Sequence, residues 1–429
     1  MERVRNGLSA RGAEASLVGL AIAFFTLAGS QGEPRALETF GLVLATPAAL
    51  IATAVTRRAW IAALFLIFFG VVIRGVNLDG GFGSDVLPVT DAAIDRLLGG
   101  DNPYGQMYSV FPFFGPGNPL AYPPGELLYY LPGSLLDDVR ATEVFSSGLI
   151  LAGLAWVAWL IRSDGPVAAM GLYAAAPPLI ALATDGSNDT SAGALLFIAV
   201  LLLLVSKRRS NGMLLVVAAL VMGEALAFKQ YTLPFWPFLI AYLAGQRWNL
   251  TLGLGPRVWR LPAWLSYGAL SGGFAALVSL PFFVWSPDAF VDDLLAPSSA
   301  DTHPFIDGWN VWVFLSRWLE WNAQDALGGA DVLTLINVGL LATAIMAGLL
   351  FGVKTPYRAV LFGSAAWFTL MLFGRWTTYA YFAGVAPVVL LIPFADRLVE
   401  APAQDVQEAD ETVAASSDAL LLGGGGLKD

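Results

Sequence analysis

Long apolar stretches separated by short polar turns make up most of this 429-residue chain. Each stretch is about 15–24 residues long, enough for an α-helix to cross most or all of the roughly 30 Å hydrocarbon core of a bilayer. The pattern therefore predicts an all-α polytopic membrane protein of about twelve transmembrane helices. The predicted spans are 16–30, 37–55, 59–76, 143–161, 165–183, 190–205, 211–228, 231–245, 262–285, 331–352, 358–373 and 378–394.

A longer polar region, 77–140, separates the third predicted helix from the fourth. It ends in the stretch AYPPGELLYYLP, Ala121–Pro132, whose apolar run is too short to span because a spanning helix needs about twenty residues. Pro123 and Pro124 favour a helix start, and the tyrosines suit the membrane interface. We expect a large first external loop with short helices that rest on the outer leaflet or dip into it.

The basic residues of the later turns set the expected orientation. If the N-terminus is cytoplasmic and 121–136 does not cross, these turns all lie inside, as the positive-inside bias strongly favours; if 121–136 crosses, they all lie outside. We therefore expect both termini in the cytoplasm and the larger polar patches on the external face. The basic residues concerned are Lys207, Arg208, Arg209, Arg247, Arg257, Arg260, Lys354 and Arg358.

Composition narrows the possible chemistry. The chain is 57% hydrophobic and 13% charged, which excludes an ordinary soluble protein of this size. It has no cysteine and one histidine, so disulfides, thiolate chemistry and multi-histidine metal sites are excluded. The acidic, glycine-rich stretch 401–429 predicts a disordered cytoplasmic tail. Residues 1–400 are expected to form one transmembrane domain.

Two polar stretches stand out at the predicted external face. SDVLPVTDAAIDRLLGGDNPY, Ser84–Tyr104, contains an amphipathic helix that Gly99 and Gly100 end before a turn. On spacing alone, a solvated loop with a surface helix is the favoured explanation. ATDGSNDTSAG, Ala183–Gly193, is a polar cluster between two apolar helices, which is costly unless it faces water or a cavity.

The first of these stretches resembles the glycosyltransferase C superfamily, in its mannosyltransferase-like branch. The resemblance lies in an aspartate just beyond an early helix, the run AAIDRLLGGDNPY, and the YPP that follows. These are multi-spanning enzymes that take a sugar from a polyprenyl phosphate. The resemblance implies that Asp85 is the catalytic base, and it adds Asn102, Tyr104 and Tyr122 as substrate-binding residues.

Two basic residues at outer helix ends match positions where members of that superfamily carry cations. The resemblance implies that Lys229 and Arg375 bind the donor phosphate, where a cation stabilises developing charge. The competing interpretation is that both side chains extend to the lipid headgroups. Glu224 precedes Lys229 by about one helical turn, and the two could serve as a buried partner for the phosphate site or as a proton-coupling element.

The second stretch also matches the superfamily, which often has a G-x-N-D or H-N-D sequence at this junction. Asn188 and Asp189 match it, and Ser187 stands where histidine is frequent. Asp185, Asn188 and Asp189 are candidates for holding sugar hydroxyls or a divalent cation, Mg²⁺ or Mn²⁺. The alternative is that Asp189 or the following threonine caps the next helix.

A third stretch, DTHPFIDGWNVW, mixes aromatic and polar side chains. His303 and Trp309 are candidates for contacting a sugar, with an aromatic face for its C–H groups and polar atoms for its hydroxyls. Tryptophan is also an ordinary residue of the membrane interface.

Together these features predict a membrane glycosyltransferase, a hexosyltransferase with its active site on the external face. It would move a sugar from a polyprenyl- or dolichyl-phosphate donor to a hydroxyl of a lipid-linked or protein glycan, among membrane lipids and without a nucleic-acid partner. The alternative is a multi-spanning transporter or a flippase for lipid-linked sugars. A transporter would favour internal repeats, and none is evident.

Overall fold

A computed structural model gives the fold for residues 48–49, 51–56, 58–110, 113–136, 138–254, 257–295, 307–319 and 329–400. Four sequence predictions fall wholly or largely outside these described residues. They are the helices 16–30 and 37–55, His303 and the tail 401–429.

Helices dominate the described chain. In chain order they are α1 (Ala59–Asn77), α2 (Val86–Leu98), α3 (Gly125–Ser134), α4 (Ala141–Ile161), α5 (Gly165–Ala175), α6 (Pro177–Leu182), α7 (Asp189–Arg208), α8 (Gly212–Phe228), α9 (Trp236–Ala244), α10 (Ala263–Trp285), α11 (Pro287–Leu295), α12 (Val311–Leu319), α13 (Ala330–Leu350), α14 (Pro356–Leu372), α15 (Tyr379–Gly384), α16 (Ala386–Val389) and α17 (Ala395–Val399). Short 3₁₀ turns cover Gln230–Phe235 and Ile392–Phe394.

The part of the chain that the structure describes contains three two-stranded sheets, which the sequence analysis does not predict and which lie in the connections. Antiparallel pairs join β1 (Tyr108–Val110) to β2 (Phe113–Asn118) and β3 (Asn249–Leu254) to β4 (Arg257–Pro262). The parallel pair joins β5 (Asp307–Gly308) to β6 (Trp376–Thr377). The last pair brings two segments far apart in sequence to one end of the helical bundle.

Several helices have the length and composition to cross a membrane, so the predicted class, a mostly helical membrane protein, is confirmed at that level. Among the described residues, six segments qualify: Ala59–Asn77, Ala141–Ile161, Asp189–Arg208, Ala263–Trp285, Asp331–Leu350 and Tyr379–Val399. Two shorter apolar helices, α5 and α8, fall within further predicted spans. The count of about twelve spans stays a prediction.

Helix α7 is the central helix of the bundle. In its most apolar stretch 89% of the residues are buried inside the protein, against 11% for α10 and for α13. Helices α10 and α13 therefore present most of their apolar side chains outward, as a lipid-facing helix does, while α7 is surrounded by protein. The N-terminus of α7, at Asp189, consequently lies deep among other elements.

The predicted span 165–183 is broken into two helices. Ala176 is extended, with φ −67° and ψ 120°, because Pro177 follows and disfavours the helical conformation of the residue before it. Arg74 of α1 crosses to this break, where its buried guanidinium donates to the carbonyl oxygens of Tyr173 and Ala174 at 2.9 and 3.1 Å. These bonds satisfy carbonyls at the helix end that would otherwise be unpaired.

Helix α3 carries most of the short segment that follows the first polar region. It has ten residues and so is about 15 Å long. Both ends contact α2, since Thr90 Oγ1 donates to Glu126 at 3.0 Å and Ser134 Oγ donates to Asp91 at 2.5 Å. Helix α3 is thus held against α2, and its length is about half of what a spanning helix needs.

Candidate functional site

The loop before α2 and the loop before α7 are joined by backbone hydrogen bonds. Gly83 and Ser84 donate to the carbonyl of Asp185 at 2.7 and 2.8 Å, and Leu87 donates to the carbonyl of Gly186 at 2.8 Å. Gly186 has φ +91°, and a Cβ there would lie 2.9 Å from the Ser84 carbonyl. Only glycine fits this position readily. The two polar stretches singled out in the sequence therefore form one structure.

Lys229 is at the centre of this structure and is fully buried. Its Nζ lies 2.5 Å from Asn188 Oδ1 and 2.6 Å from Asp189 Oδ1. A buried ammonium requires such partners because removing it from water is costly. The carboxylate of Asp189 thus binds Lys229 instead of capping α7, whose N-cap residue, Asn188, makes no side-chain capping bond either.

Three tyrosine rings complete the surroundings of Lys229. The ammonium lies 5.0, 5.1 and 5.0 Å from the ring centroids of Tyr122, Tyr231 and Tyr381. A cation at this distance over a ring is attracted by about 0.5–2 kcal/mol. Because two polar side chains and three rings surround it, Lys229 is held in place from several elements at once.

A cavity of about 220 Å³ lies beyond two of these tyrosines. Tyr231 and Tyr381 form one wall, and Arg375, Thr377 and Gln230 are among the other lining residues. The guanidinium of Arg375 donates to Thr334 Oγ1 at 3.0 Å. Burial lowers the pKa of Arg375, which the nearby Asp331 opposes, but arginine remains a cation at neutral pH.

The predicted base, Asp85, immediately precedes α2. Asn118 Nδ2 donates to its Oδ2 in a short contact, so the hairpin β1–β2 reaches this carboxylate. Asp85 is half-buried, and its charge is one of the influences that raise the pKa of the buried Tyr122 phenol, after burial itself and the charges of other neighbours. Asp85 therefore lies on the same side of the bundle as the Lys229 cluster.

Asp185 is occupied by local contacts. Its Oδ1 accepts from the backbone N–H of Ser187 at 2.9 Å, and its Oδ2 accepts from Tyr379 Oη at 2.8 Å. The structure thus gives Asp185 the role of holding its loop against α15, next to Tyr381. Ser187 also hydrogen-bonds to this carboxylate.

Asn102 and Tyr104 stabilise the backbone next to the site. Asn102 Oδ1 accepts from the backbone N–H of Tyr104 at 3.0 Å, which makes it a turn residue. Tyr104 is buried between the rings of Phe282 and Phe290, and its hydroxyl donates to the carbonyl of Tyr122 at 2.8 Å. Neither side chain lines the cavity beside Arg375.

Trp309 bonds through its backbone to the strand that follows Arg375, and its side chain is largely exposed. Its backbone N–H donates to the Thr377 carbonyl at 2.5 Å, while its side chain is 69% exposed. The neighbouring Asn310 donates from its side chain to the Arg375 carbonyl at 3.1 Å. This loop therefore fixes the backbone that carries Arg375.

Glu126, within the short helix α3, was not among the predicted site residues. It is fully buried, and its Oε1 accepts from Asn188 Nδ2 at 2.7 Å and from Thr90 Oγ1 at 3.0 Å. It therefore links α2 to the Asn188–Lys229 pair. A carboxylate next to Pro123-Pro124 in an otherwise apolar helix was the available signal, but the sequence could not show its partners.

The described residues contain no group of three or more histidine, cysteine, aspartate or glutamate side chains arranged to hold a metal ion. Comparison with protein-family models, curated proteins and solved structures found no match to this chain. The site therefore has to be interpreted from its own geometry.

Proposed function

We propose that this protein is a membrane glycosyltransferase that moves a sugar from a polyprenyl-phosphate donor to an acceptor hydroxyl, with Asp85 as the general base. One observation carries the proposal. A half-buried carboxylate, two cationic side chains and three tyrosines from widely separated parts of the sequence lie at one end of an apolar helical bundle, and Arg375, Tyr231 and Tyr381 of this set line a cavity there.

The donor phosphate binds in the cavity beside Arg375. The guanidinium and the hydroxyls of Tyr231 and Tyr381 are groups that can donate hydrogen bonds to phosphate oxygens. When the bond between the anomeric carbon and the phosphate oxygen breaks, the electron pair leaves with the lipid phosphate. Positive groups fixed beforehand lower the energy of that step.

Lys229 acts through its neighbours, because Asn188, Asp189 and the three rings already occupy its surroundings. Its charge lies behind Tyr231 and Tyr381, where it favours negative charge on the cavity side of those rings. This modifies the role that the resemblance gives it, from direct phosphate ligand to a fixed positive charge behind the phosphate site.

Asp85 accepts the proton of the attacking hydroxyl as that oxygen bonds to the anomeric carbon. General-base assistance of this kind is worth about 10²–10⁴ in rate. The acceptor is a sugar hydroxyl of a lipid-linked or protein glycan, which reaches Asp85 from the external side. Membrane lipids surround the bundle, and the donor's hydrocarbon chain remains among them.

The test is sugar transfer by purified protein in lipid nanodiscs, with polyprenyl-phosphate-linked mannose as donor and a mannoside acceptor. Asp85→Asn preserves size and removes the base, so transfer should fall by at least about a hundredfold. Asp79→Asn, an exposed carboxylate of the same region, is the matched control and should transfer normally.

Two results would overturn the proposal. One is normal transfer by Asp85→Asn together with loss in Asp79→Asn, which would assign the base elsewhere. The other is transfer from a nucleotide sugar with no lipid carrier present, which would replace the donor class. An absence of transfer from lipid-linked mannose, glucose and arabinose alike would count against the enzyme and favour the transporter alternative.

A further inference from the structure

A second, larger cavity lies away from the proposed catalytic site, between α3, α4, α8 and α10. Its volume is about 840 Å³, within the range of small-molecule sites. The walls are almost entirely apolar, and Leu128, Leu136, Phe145 and Leu220 line it while remaining 37–71% exposed. The cavity is thus open to whatever surrounds the bundle, and its walls suit a hydrocarbon chain.

Among the described residues of this lining, Glu224 of α8 is the one carboxylate. It makes no hydrogen bond or ion pair with any residue that the structure describes. Lys229 lies about one turn further along the chain but binds Asn188 and Asp189. Glu224 and Lys229 therefore do not form an ion pair with each other.

An unpaired carboxylate on an apolar wall is costly at membrane depth. The other polar side chains of the described lining, Tyr129 and Thr142, make no hydrogen bond with Glu224, and the Tyr129 hydroxyl is engaged with Ser146 Oγ at 2.8 Å. The described lining contains no lysine, arginine or histidine. A ligand that brings its own positive charge would remove the cost.

We propose that this cavity binds a cationic amphiphile, a hydrocarbon chain with a primary ammonium head group that pairs with Glu224. The chain lies along Leu128, Phe145 and Leu220, and the ammonium donates to the carboxylate in a charge-assisted hydrogen bond. The head group carries no phosphate, because a second negative charge beside Glu224 would be repelled and the described lining offers it no cation. The proposal is independent of the sugar-transfer reaction.

The test uses dodecylamine as the probe, with purified protein in phosphatidylcholine nanodiscs and binding followed by the rise in unfolding temperature. Wild-type protein should respond saturably to dodecylamine and much less to dodecanol, which has the same chain without the charge. Glu224→Gln should weaken dodecylamine binding at least about tenfold, which corresponds to about 1.4 kcal/mol. Leu220→Trp, which fills the cavity, should abolish binding and leaves Glu224 in place.

Three outcomes would overturn the proposal. Equal binding of dodecylamine by wild type and Glu224→Gln would show that the carboxylate is not its partner. Equal binding of dodecanol and dodecylamine by wild type would reduce the cavity to a non-selective apolar surface. Glu224-dependent binding of phosphatidylethanolamine in preference to dodecylamine would replace the unphosphorylated amine with a bilayer aminophospholipid.

Discussion

Among single residues, Glu126 shows most clearly how burial changes chemistry. Burial raises its pKa to about 8, and this outweighs the opposing influence of the hydrogen bonds from Asn188 and Thr90 and of the Lys229 charge. The negative charge of Glu143 raises this pKa further, and the nearby tyrosines contribute no positive charge that would lower it. An unfolded glutamate has a pKa near about 4.3. The folded protein therefore holds a proton on Glu126 at neutral pH.

This difference predicts a pH dependence of stability. Below the unfolded pKa both states are protonated and the burial cost is absent. Between about 4.3 and about 8 the unfolded state releases this proton while the folded state keeps it, so stability falls as the pH rises and levels off above about 8. Glu126→Gln removes the titration while keeping a neutral acceptor. The unfolding temperature, followed by tryptophan fluorescence between about pH 6 and pH 9, should therefore fall less steeply in the variant.

The test compares how steeply the unfolding temperature falls with pH in wild type and in Glu126→Gln. The absolute unfolding temperatures do not decide it, because the amide itself shifts them at every pH. Asp79→Asn, at an exposed site, should keep the wild-type slope. Parallel curves for wild type and Glu126→Gln would mean that another group titrates in this range.

Residue types could be predicted from the sequence far better than their partners. The polar stretches containing Asp85, Asp189 and Lys229 are visible because polar residues interrupt apolar runs. That Lys229 binds Asp189 and lies over the rings of Tyr122 and Tyr381 depends on contacts between residues 40, 107 and 152 positions apart along the chain, which periodicity does not encode. The position of Arg375 could not be predicted from periodicity either, because the parallel pairing of β5 with β6 fixes its loop.

At the scale of elements, the close approach of α7 to α15 brings the part of the candidate site that contains Asp189 next to the part that contains Tyr381. A Cβ on Gly193 of α7 would lie 2.1 Å from the carbonyl oxygen of Gly384 at the end of α15. A Cβ on Gly384 would in turn lie 3.1 Å from the Asp189 carbonyl. The two glycines therefore let α7, with Asp189, approach α15, with Tyr381.

Gly193→Ala should consequently separate the two helices. The overlap with backbone cannot be relieved by a rotamer change, so we expect a loss of about 2 kcal/mol or more in stability, as in other overpacked cores. The unfolding temperature in detergent measures this. Gly339→Ala in α13 is the matched control, because nothing lies within 4 Å of its Cβ and alanine favours helix there. Equal effects of both substitutions would contradict the assigned contact.

Apolar periodicity predicted most of the long helices, including α1, α4, α7, α10 and α13, to within a few residues. It missed the break between α5 and α6, although Pro177-Pro178 is a local signal for one. It also missed the hairpin β3–β4, because short strands that are not part of a large sheet have little periodic pattern to detect. Local breaks and hairpins thus depend on turn chemistry and tertiary contacts more than on hydrophobic spacing.

At the scale of the whole molecule, charge is divided between the two ends of the bundle. The end opposite the candidate site contains basic residues that meet across helices: Arg208 donates to the Arg397 carbonyl at 3.3 Å, and Lys207 lies 5.6 Å from the ring centroid of Trp248. The positive-inside bias favours this end as cytoplasmic. The candidate site then faces outward, provided that α3 does not cross the membrane.

Side-specific labelling tests that arrangement, because the chain has no cysteine and any introduced thiol is unique. Asp101→Cys, just after α2, and Ser210→Cys, between α7 and α8, are both at exposed positions. If the ten-residue helix α3 stays at the interface, the two positions lie on opposite sides. A membrane-impermeant maleimide added to intact cells should label Asp101→Cys and should reach Ser210→Cys only after permeabilisation. Labelling of both from one side would mean that α3 crosses, and labelling of Ser210→Cys alone would invert the bundle and place the candidate site in the cytoplasm.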